Sequence, residues 1–257
     1  MAMRDLGSGD ASGRLRVGRV IQVTSSLVGS AWPRLWVVFA AMVTLNLAGS
    51  VADLAASRAG LGQPALITSN FVQAALIAGL SLASVRTMFG APGVWRLDRG
   101  GLVLAGMDFA SSVLLWLWYR AEDVFAGAGG PIPVLLHRAA WVCAGLMVWW
   151  LFIRSTLWIF GAGLREPMSL RESWRRMRGA GFAVFAASVV LGVLPNQVVD
   201  IVLDVVVTGK DGVLIRSATV AIDALASAAF SLAIIAVPTA AYRLRGGDEG
   251  DVAHVFD

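Results

Sequence analysis

The sequence carries little charge for its length, and its positive charge is almost all of one kind. Aspartate, glutamate, lysine and arginine make up 15% of the 257 residues, against about a quarter in soluble domains. Lys210 is the only lysine, so arginine supplies nearly all of the +4 net charge. In a soluble chain this balance would favour nucleic acid. Here the arginines cluster beside apolar blocks, so we expect anionic lipid head groups as partners and no nucleic acid.

Residues that form disulfides or hold metals are also scarce. Cys143 is the only cysteine, which excludes a disulfide or a cysteine-based metal site within one chain. The two histidines, His137 and His254, stand apart from any ligand spacing. The sequence also lacks a P-loop, a Gly-x-Ser-x-Gly elbow and a His-Glu-x-x-His motif. We therefore predict no catalytic residues, no metal and no cofactor, and an enzyme is not favoured.

Apolar residues are what the chain has in excess, at 57% of the sequence, and they fall in long blocks. About 20 consecutive apolar residues are enough to cross the hydrocarbon core of a bilayer. Six stretches reach this length: residues 35–54, 64–86, 101–119, 139–161, 180–199 and 214–241, of which the fifth could continue to Val207. They predict an all-α fold, a polytopic six-helix transmembrane bundle over residues 34–242.

The two ends of the chain differ from the bundle in composition. Residues 1–33 mix arginines with apolar residues, in a period that is ambiguous between helix and strand, and one interpretation places this segment at the membrane interface. The first span is longer than the apolar core of a signal peptide, so we expect it to remain as an anchor. Residues 243–257 are predicted to be a flexible cytoplasmic tail.

The distribution of basic residues predicts the orientation, because cytoplasmic loops hold an excess of arginine and lysine. With a cytoplasmic N-terminus, sixteen of the 21 basic residues fall inside and five outside. The opposite orientation reverses this ratio. We therefore predict a multi-pass protein of the bacterial inner membrane with both termini in the cytoplasm. Five tryptophans then mark the inner interface: Trp32, Trp36, Trp95, Trp158 and Trp174.

The densest charge in the chain lies between the fourth and fifth spans. Ser169 and Glu172 form the Ser-x-x-Glu signature of a helix start. Residues 169–178 then predict a short amphipathic helix in the cytoplasmic interface. Its apolar edge is Leu170, Trp174 and Met177, and its lipid-facing basic residues are Arg171, Arg175, Arg176 and Arg178. The alternative is a solvated cytoplasmic loop.

Charged residues inside the spans are candidates for function, because they are costly in hydrocarbon. Asp108 and Arg154 both lie about 10 Å from the predicted cytoplasmic edge of consecutive antiparallel spans. Their matching depths predict an ion pair. The structural alternative is that the pair locks a helical hairpin, or that Arg154 snorkels to the interface.

A second group of polar residues lies near the outer side. Asn196, Asp200 and Asp204 share one face of the fifth span, and Asp223 lies early in the sixth. Carboxylates facing each other across a cavity could bind a cation or relay a proton. Alternatively, the fifth span ends near Val199 and these aspartates are solvated.

Three segments resemble a bacterial six-span family: "VGRVIQVTSSLVGSAWPRLWVVF", "RSTLWIFGAGLREPMSLRESWRRMRG" and "AFSLAIIAVPTAAYRLRGG". The family includes the membrane domain attached to some glycerophosphoryl diester phosphodiesterases and its free-standing YciC-type relatives. The resemblance implies that an arginine late in span four leads to a Ser-Trp helix, with Arg154, Ser173, Trp174 and Gly179 in those places. It implies no settled activity, and the catalytic barrel of the phosphodiesterases is not present.

Two main functions remain open on this evidence. The first is a non-enzymatic membrane protein that organises lipid or a partner membrane protein through its arginine-rich cytoplasmic face. The alternative is a small transporter or permease-like protein that uses the intramembrane charged residues. A lipid enzyme embedded in the membrane is a third hypothesis, because scattered polar residues do not exclude it.

Overall fold

The computed structural model describes residues 15–60, 63–91, 93–126, 131–164, 168–207 and 213–245, and every regular element in these ranges is a helix. The α-helices are α1 (Val17–Arg58), α2 (Gln63–Met88), α3 (Arg99–Ala126), α4 (Pro131–Leu164), α5 (Leu170–Arg176), α6 (Gly181–Ser188), α7 (Leu194–Val207) and α8 (Val213–Arg245). A π-helical segment, Val189–Val193, joins α6 to α7. The all-α prediction is confirmed.

Five helical stretches in the described ranges are long and apolar enough to cross a membrane. They are Val17–Ala56, Thr68–Met88, Met147–Leu164, Gly181–Val206 and Ile215–Arg245. Each overlaps a predicted span. The third predicted span, residues 101–119, lies within α3, but many of its side chains are outside the described part of the structure. The chain therefore has the helices of a membrane protein, with five candidate spans.

Helix α1 extends far beyond the first predicted span. Its 42 residues give a length of about 63 Å, roughly twice the hydrocarbon thickness. Residues 17–33, whose period was ambiguous in the sequence, are helical and continuous with the predicted span. Pro33 lies inside this helix. Residues 1–14 and 246–257, which hold the rest of the predicted terminal segments, are outside the described residues.

The core of the bundle forms where α1 packs against α2 and α8, and where α4 closes on α3. Leu35 and Met42 of α1 are fully buried, as are Ile153 and Leu157 of α4. Small residues line α8 at a four-residue spacing, and Ala224, Ala228, Ala236 and Ala240 are all buried. Small side chains let helices approach closely in a bilayer, where apolar surfaces alone give little drive to associate.

The predicted fifth span is continuous through α6, the π segment and α7. A π turn takes up one more residue than an α turn. Val184 is fully buried. In an unbroken α-helix, five turns later, Val202 would lie on the same face as Val184 and would also be buried. Instead Val202 is 52% exposed, and the adjacent Leu203 is half-buried. The π segment thus shifts the inward face of the span by one residue.

Candidate functional site

The end of α2 is built by a glycine cap that turns the chain toward α3. Gly90 has a φ of 63°, in the left-handed region that glycine adopts without strain. The Gly90 amide donates to the Thr87 carbonyl, and the Ala91 amide to the Arg86 carbonyl. This pair of bonds is the Schellman motif, which satisfies the last carbonyls of a helix. It fixes the direction in which residues 89–98, the α2–α3 loop, leave the helix.

Arg86 holds that loop in place. Its guanidinium donates to the carbonyls of Gly93, Arg96 and Gly163, and to the carboxylate of Asp98 at 2.8 Å. These five bonds use all five N–H donors of the side chain, only 2% of which is exposed. The Gly163 carbonyl belongs to the last turn of α4. Arg86 therefore ties the ends of α2 and α4 to the start of α3, and we call this arrangement the Arg86 clamp.

Asp98 is shared between the clamp and the start of α3. Its Oδ1 atom accepts from the Gly101 amide at 2.8 Å, as an N-cap residue does. The next close approach is at Gly100, where a Cβ atom would stand 1.7 Å from the carbonyl oxygen of Ala162. Only glycine allows α3 and α4 to meet at this distance. In the sequence, Arg86 was counted only as one inside charge, and its role as a clamp was not predicted.

A groove opens beside the clamp, between α1 and the α2–α3 loop. Its volume is about 410 Å³, within the usual range for ligand sites. Pro33, Arg34, Val37 and Val38 form one wall, and Thr87, Gly90, Ala91, Val94 and Trp95 form the other. The Trp95 side chain is 64% exposed. The groove thus has apolar walls, one arginine and a tryptophan at its rim.

The predicted helix at 169–178 is present as α5, seven residues long. Ser169 is its N-cap, and its hydroxyl accepts from the Glu172 amide at 3.1 Å, as predicted from the Ser-x-x-Glu pattern. Gly179, with a φ of 83°, turns the chain toward α6. The buried side of α5 is Ser173 and Met177, whereas Leu170 is 46% exposed, so the predicted apolar edge is only partly buried.

Glu172 binds two of the arginines on α5. Its Oε1 atom accepts from Arg175 at 2.7 Å and from Arg176 at 2.6 Å. These hydrogen bonds, that of Arg175 first, hold the pKa of Glu172 below its ordinary value. Arg176 also donates to the Arg245 carbonyl at 3.5 Å, which joins α5 to the end of α8. Arg171 and Arg178 are exposed.

Arg154 lies beside α5 and stacks on two tryptophan rings. Its Cζ atom is 5.4 Å from the centroid of Trp174 and 5.9 Å from that of Trp150. Ser173 donates to the Arg154 carbonyl at 2.8 Å, and the indole N–H of Trp174 donates to Ser155 at 3.3 Å. These contacts hold α5 against α4. The Arg154 guanidinium therefore lies as a cation on two aromatic faces, and no carboxylate among the described residues pairs with it.

The predicted ion pair between Asp108 and Arg154 is therefore wrong. Asp108 instead accepts a 2.6 Å hydrogen bond from Ser81 of α2. It borders a cavity of about 20 Å³, with Leu104 and Phe152 among its apolar neighbours. The two charges had matching depths in the sequence, but they point to different neighbours: Asp108 toward α2, and Arg154 toward α5. Depth along a helix does not define the face on which a side chain lies.

The polar residues predicted near the outer side, Asn196, Asp200, Asp204 and Asp223, are only partly brought together. Asp200 accepts from Asn196 at 3.1 Å and from Gln197 at 3.3 Å along α7. Asp223 on α8 lies close enough to Asp200 for the two charges to interact. Asp204 is exposed, one turn further along α7. Helix α7 continues past Val199 to Val207, so residues after Val199 are helical. In the described residues, no three His, Cys, Asp or Glu side chains form a metal-binding group.

No protein-family profile, curated protein or solved structure matches this chain.

Proposed function

We propose that the protein is a non-enzymatic integral membrane protein with six spans, which binds anionic lipid head groups through an arginine-rich cytoplasmic face. The observation that carries this proposal is the setting of Arg154. Its guanidinium rests on the rings of Trp150 and Trp174, with no carboxylate partner in the described residues. Tryptophan and arginine together are typical of a membrane interface, where the guanidinium can meet a lipid phosphate.

The ends of three helices support the proposed six-span topology. Arg86 near the end of α2 bonds to Gly163 near the end of α4. Phe89, directly after α2, stacks edge-on against Tyr242 near the end of α8. In a six-span chain the second, fourth and sixth spans all end on the same side. Among the described residues, arginines assigned to the cytoplasm lie at this end, including Arg86 and Arg176, and Arg176 donates to the carbonyl of the last residue of α8.

The proposed resemblance to the six-span membrane-domain family gains support from the same place. Three of the four positions that it singles out, Arg154, Ser173 and Trp174, come together where α5 packs on α4, and Gly179 follows α5. Ser173 and Trp174 make the contacts, and Gly179 supplies the turn that follows. We therefore propose that the contacts with α4 fix the Ser-Trp helix in position. Its exposed arginines then lie along the inner surface of the membrane.

Lipid retention tests the proposed function. Replacing Arg171, Arg175 and Arg178 together with glutamine should reduce the anionic lipid that co-purifies, because each arginine near such a surface contributes about 1 kcal/mol. The matched control replaces three basic residues assigned to the outer side, Arg58, Lys210 and Arg216. It removes the same charge and should leave retention unchanged. Equal retention in both triple variants would contradict the proposal.

Reporter fusions test the orientation separately. Fusions after Arg99 and Arg178 should report a cytoplasmic position, and fusions near Gly129 and Lys210 a periplasmic one. A tag within residues 169–178 that reacts with an impermeant reagent from outside would reject the orientation, whatever the lipid result.

A small transporter is the second candidate, and Asp108 is the observation that favours it. Its carboxylate is held by Ser81 beside a cavity between α2, α3, α4 and α8. That cavity has room for about one water molecule, so transport would need the bundle to open. Ion or proton flux in liposomes that is lost in Asp108→Asn but retained in Asp223→Asn would favour this candidate over the first.

A further inference from the structure

We propose that the groove between α1 and the α2–α3 loop binds one anionic phospholipid, with its phosphate on Arg34. This inference rests on the proposed function, because it assumes that the groove lies at the lipid interface. It goes further by naming one site, one ligand class and one residue that recognises the ligand.

The chemistry of the groove selects an amphiphile. Arg34 is the only charged residue among its described lining residues, and the others are apolar apart from Thr87 and backbone. The Thr87 hydroxyl already donates to the Ala83 carbonyl at 2.7 Å, and the Gly90 and Ala91 amides are used in the helix cap. The guanidinium of Arg34 therefore remains as the charged donor for an anion, beside the neutral indole N–H of Trp95. A ligand that fills the groove needs one anionic group and an apolar body.

The surroundings place the groove at a membrane surface. Trp36 and Trp95 are 54% and 64% exposed, and Trp32 is also exposed. Exposed tryptophans of this kind occupy the level of the head groups in a bilayer. Val37, on the groove wall, is 47% exposed and would face acyl chains. An inorganic phosphate would meet only Arg34, whereas a phospholipid would also cover the valine and proline wall.

The groove is also held open before any ligand arrives. One wall is the rigid helix α1, and the other is the loop fixed by the Arg86 clamp through the Gly93 and Arg96 carbonyls and Asp98. A preformed site avoids the free-energy cost of ordering a loop on binding. The clamp thus explains why a short glycine-rich loop presents a stable wall.

Native mass spectrometry of the full chain in detergent tests this proposal, with phosphatidylglycerol as the probe and phosphatidylcholine as the neutral comparison. We expect one phosphatidylglycerol to bind more tightly than the rest. Arg34→Gln should weaken that binding about tenfold, and Arg34→Lys should weaken it less. Arg96→Gln is the matched control, because its exposed side chain is in the same loop but does not line the groove. It should change the affinity by less than about twofold.

A second variant blocks the groove without changing its charge. Val37→Trp places a larger ring at an exposed wall position, so it should remove the tight lipid and leave the fold intact. Several results would overturn the proposal: equal affinity for the two lipids, equal effects of the Arg34 and Arg96 variants, or tight binding that survives Val37→Trp. Displacement of the lipid by millimolar inorganic phosphate would also overturn it, since the site would then recognise the free anion.

The α5 triple variant separates this inference from the proposed function. It should lower the total of co-purified anionic lipid and leave the single tight site in place. Loss of the tight site in Arg34→Gln, with unchanged total lipid in the α5 variant, would support the groove and reject the wider role of α5. The opposite pattern would reject the groove alone.

Discussion

Replacing Arg86 with methionine should be among the most damaging single changes in the described part of the chain. The side chain is fully buried and makes five hydrogen bonds, to three carbonyls and one carboxylate. A buried acceptor left without a partner costs about 1–3 kcal/mol, and breaking a buried ion pair costs about 3–5 kcal/mol. Asp98 is 22% exposed, so water can replace part of what it loses. We expect the free energy of unfolding to fall by about 3–5 kcal/mol.

The companion variant Asp98→Asn separates the charge from the carbonyl contacts. Asparagine caps a helix about as well as aspartate and its side-chain oxygen still accepts from Arg86, but the buried guanidinium loses its counter-charge, so this change should cost about 2–3 kcal/mol. Three of the four groups that Arg86 contacts do not involve Asp98. Arg86→Met should therefore remain costly in the Asp98→Asn background, at about 2–4 kcal/mol.

Reversible unfolding in mixed micelles, followed by circular dichroism, measures these differences, with Arg96→Met as a control at an exposed side chain of the same loop. The reasoning is refuted if Arg86→Met changes the free energy of unfolding by less than about 1 kcal/mol. It is also refuted if the cost disappears in the Asp98→Asn background, because the ion pair alone would then account for it.

Three further changes probe other contacts. Gly100→Ala places a Cβ atom 1.7 Å from a backbone oxygen and should destabilise the protein by about 3 kcal/mol. The control Gly106→Ala, whose Cβ atom would have no atom within 4 Å, should be neutral or stabilising. Equal melting temperatures of the two variants would contradict this. Ser81→Ala should cost about 1–3 kcal/mol in the same unfolding assay, and a similar loss in an Asp108→Leu background would show that their hydrogen bond is not the cause. Glu172 has a lowered pKa when folded, so its ion pairs should stabilise α5 above the ordinary pKa and be lost as the pH falls through the folded value; a carboxyl ¹³C titration midpoint at or above 4.5 would refute this.

Much of the fold could be predicted from the sequence because membrane spans are a matter of length and composition. The predicted spans fall on helices, and the start of α5 followed from Ser169 and Glu172, three residues apart. Such signals are local: they depend on residues within one helix turn or one apolar stretch. Hydropathy also marks only where a helix crosses the membrane, so it did not show that α1 continues back to Val17.

The polar contacts between helices could not be predicted from the sequence. Asp108 bonds to Ser81 and Arg86 to Asp98, and each depends on the rotation of one helix against another. A serine in an apolar stretch gives no sign that it is a partner for a carboxylate. For Arg86 a signal existed: an arginine near the end of a span, followed by a glycine-rich turn and an aspartate twelve residues later. A buried arginine needs a carboxylate and carbonyl groups, and that stretch provides them.

The π segment in the fifth span sets the rotation of α7 about the helix axis relative to α6. If Val189–Val193 became regular α-helix with no residue deleted, everything after it would rotate by about 100°. Val202 would then turn from the exposed surface into the bundle, and Asp200 would turn away from Asp223. One backbone turn thus decides which side chains α7 shows to α8, although none of the residues in that turn is polar.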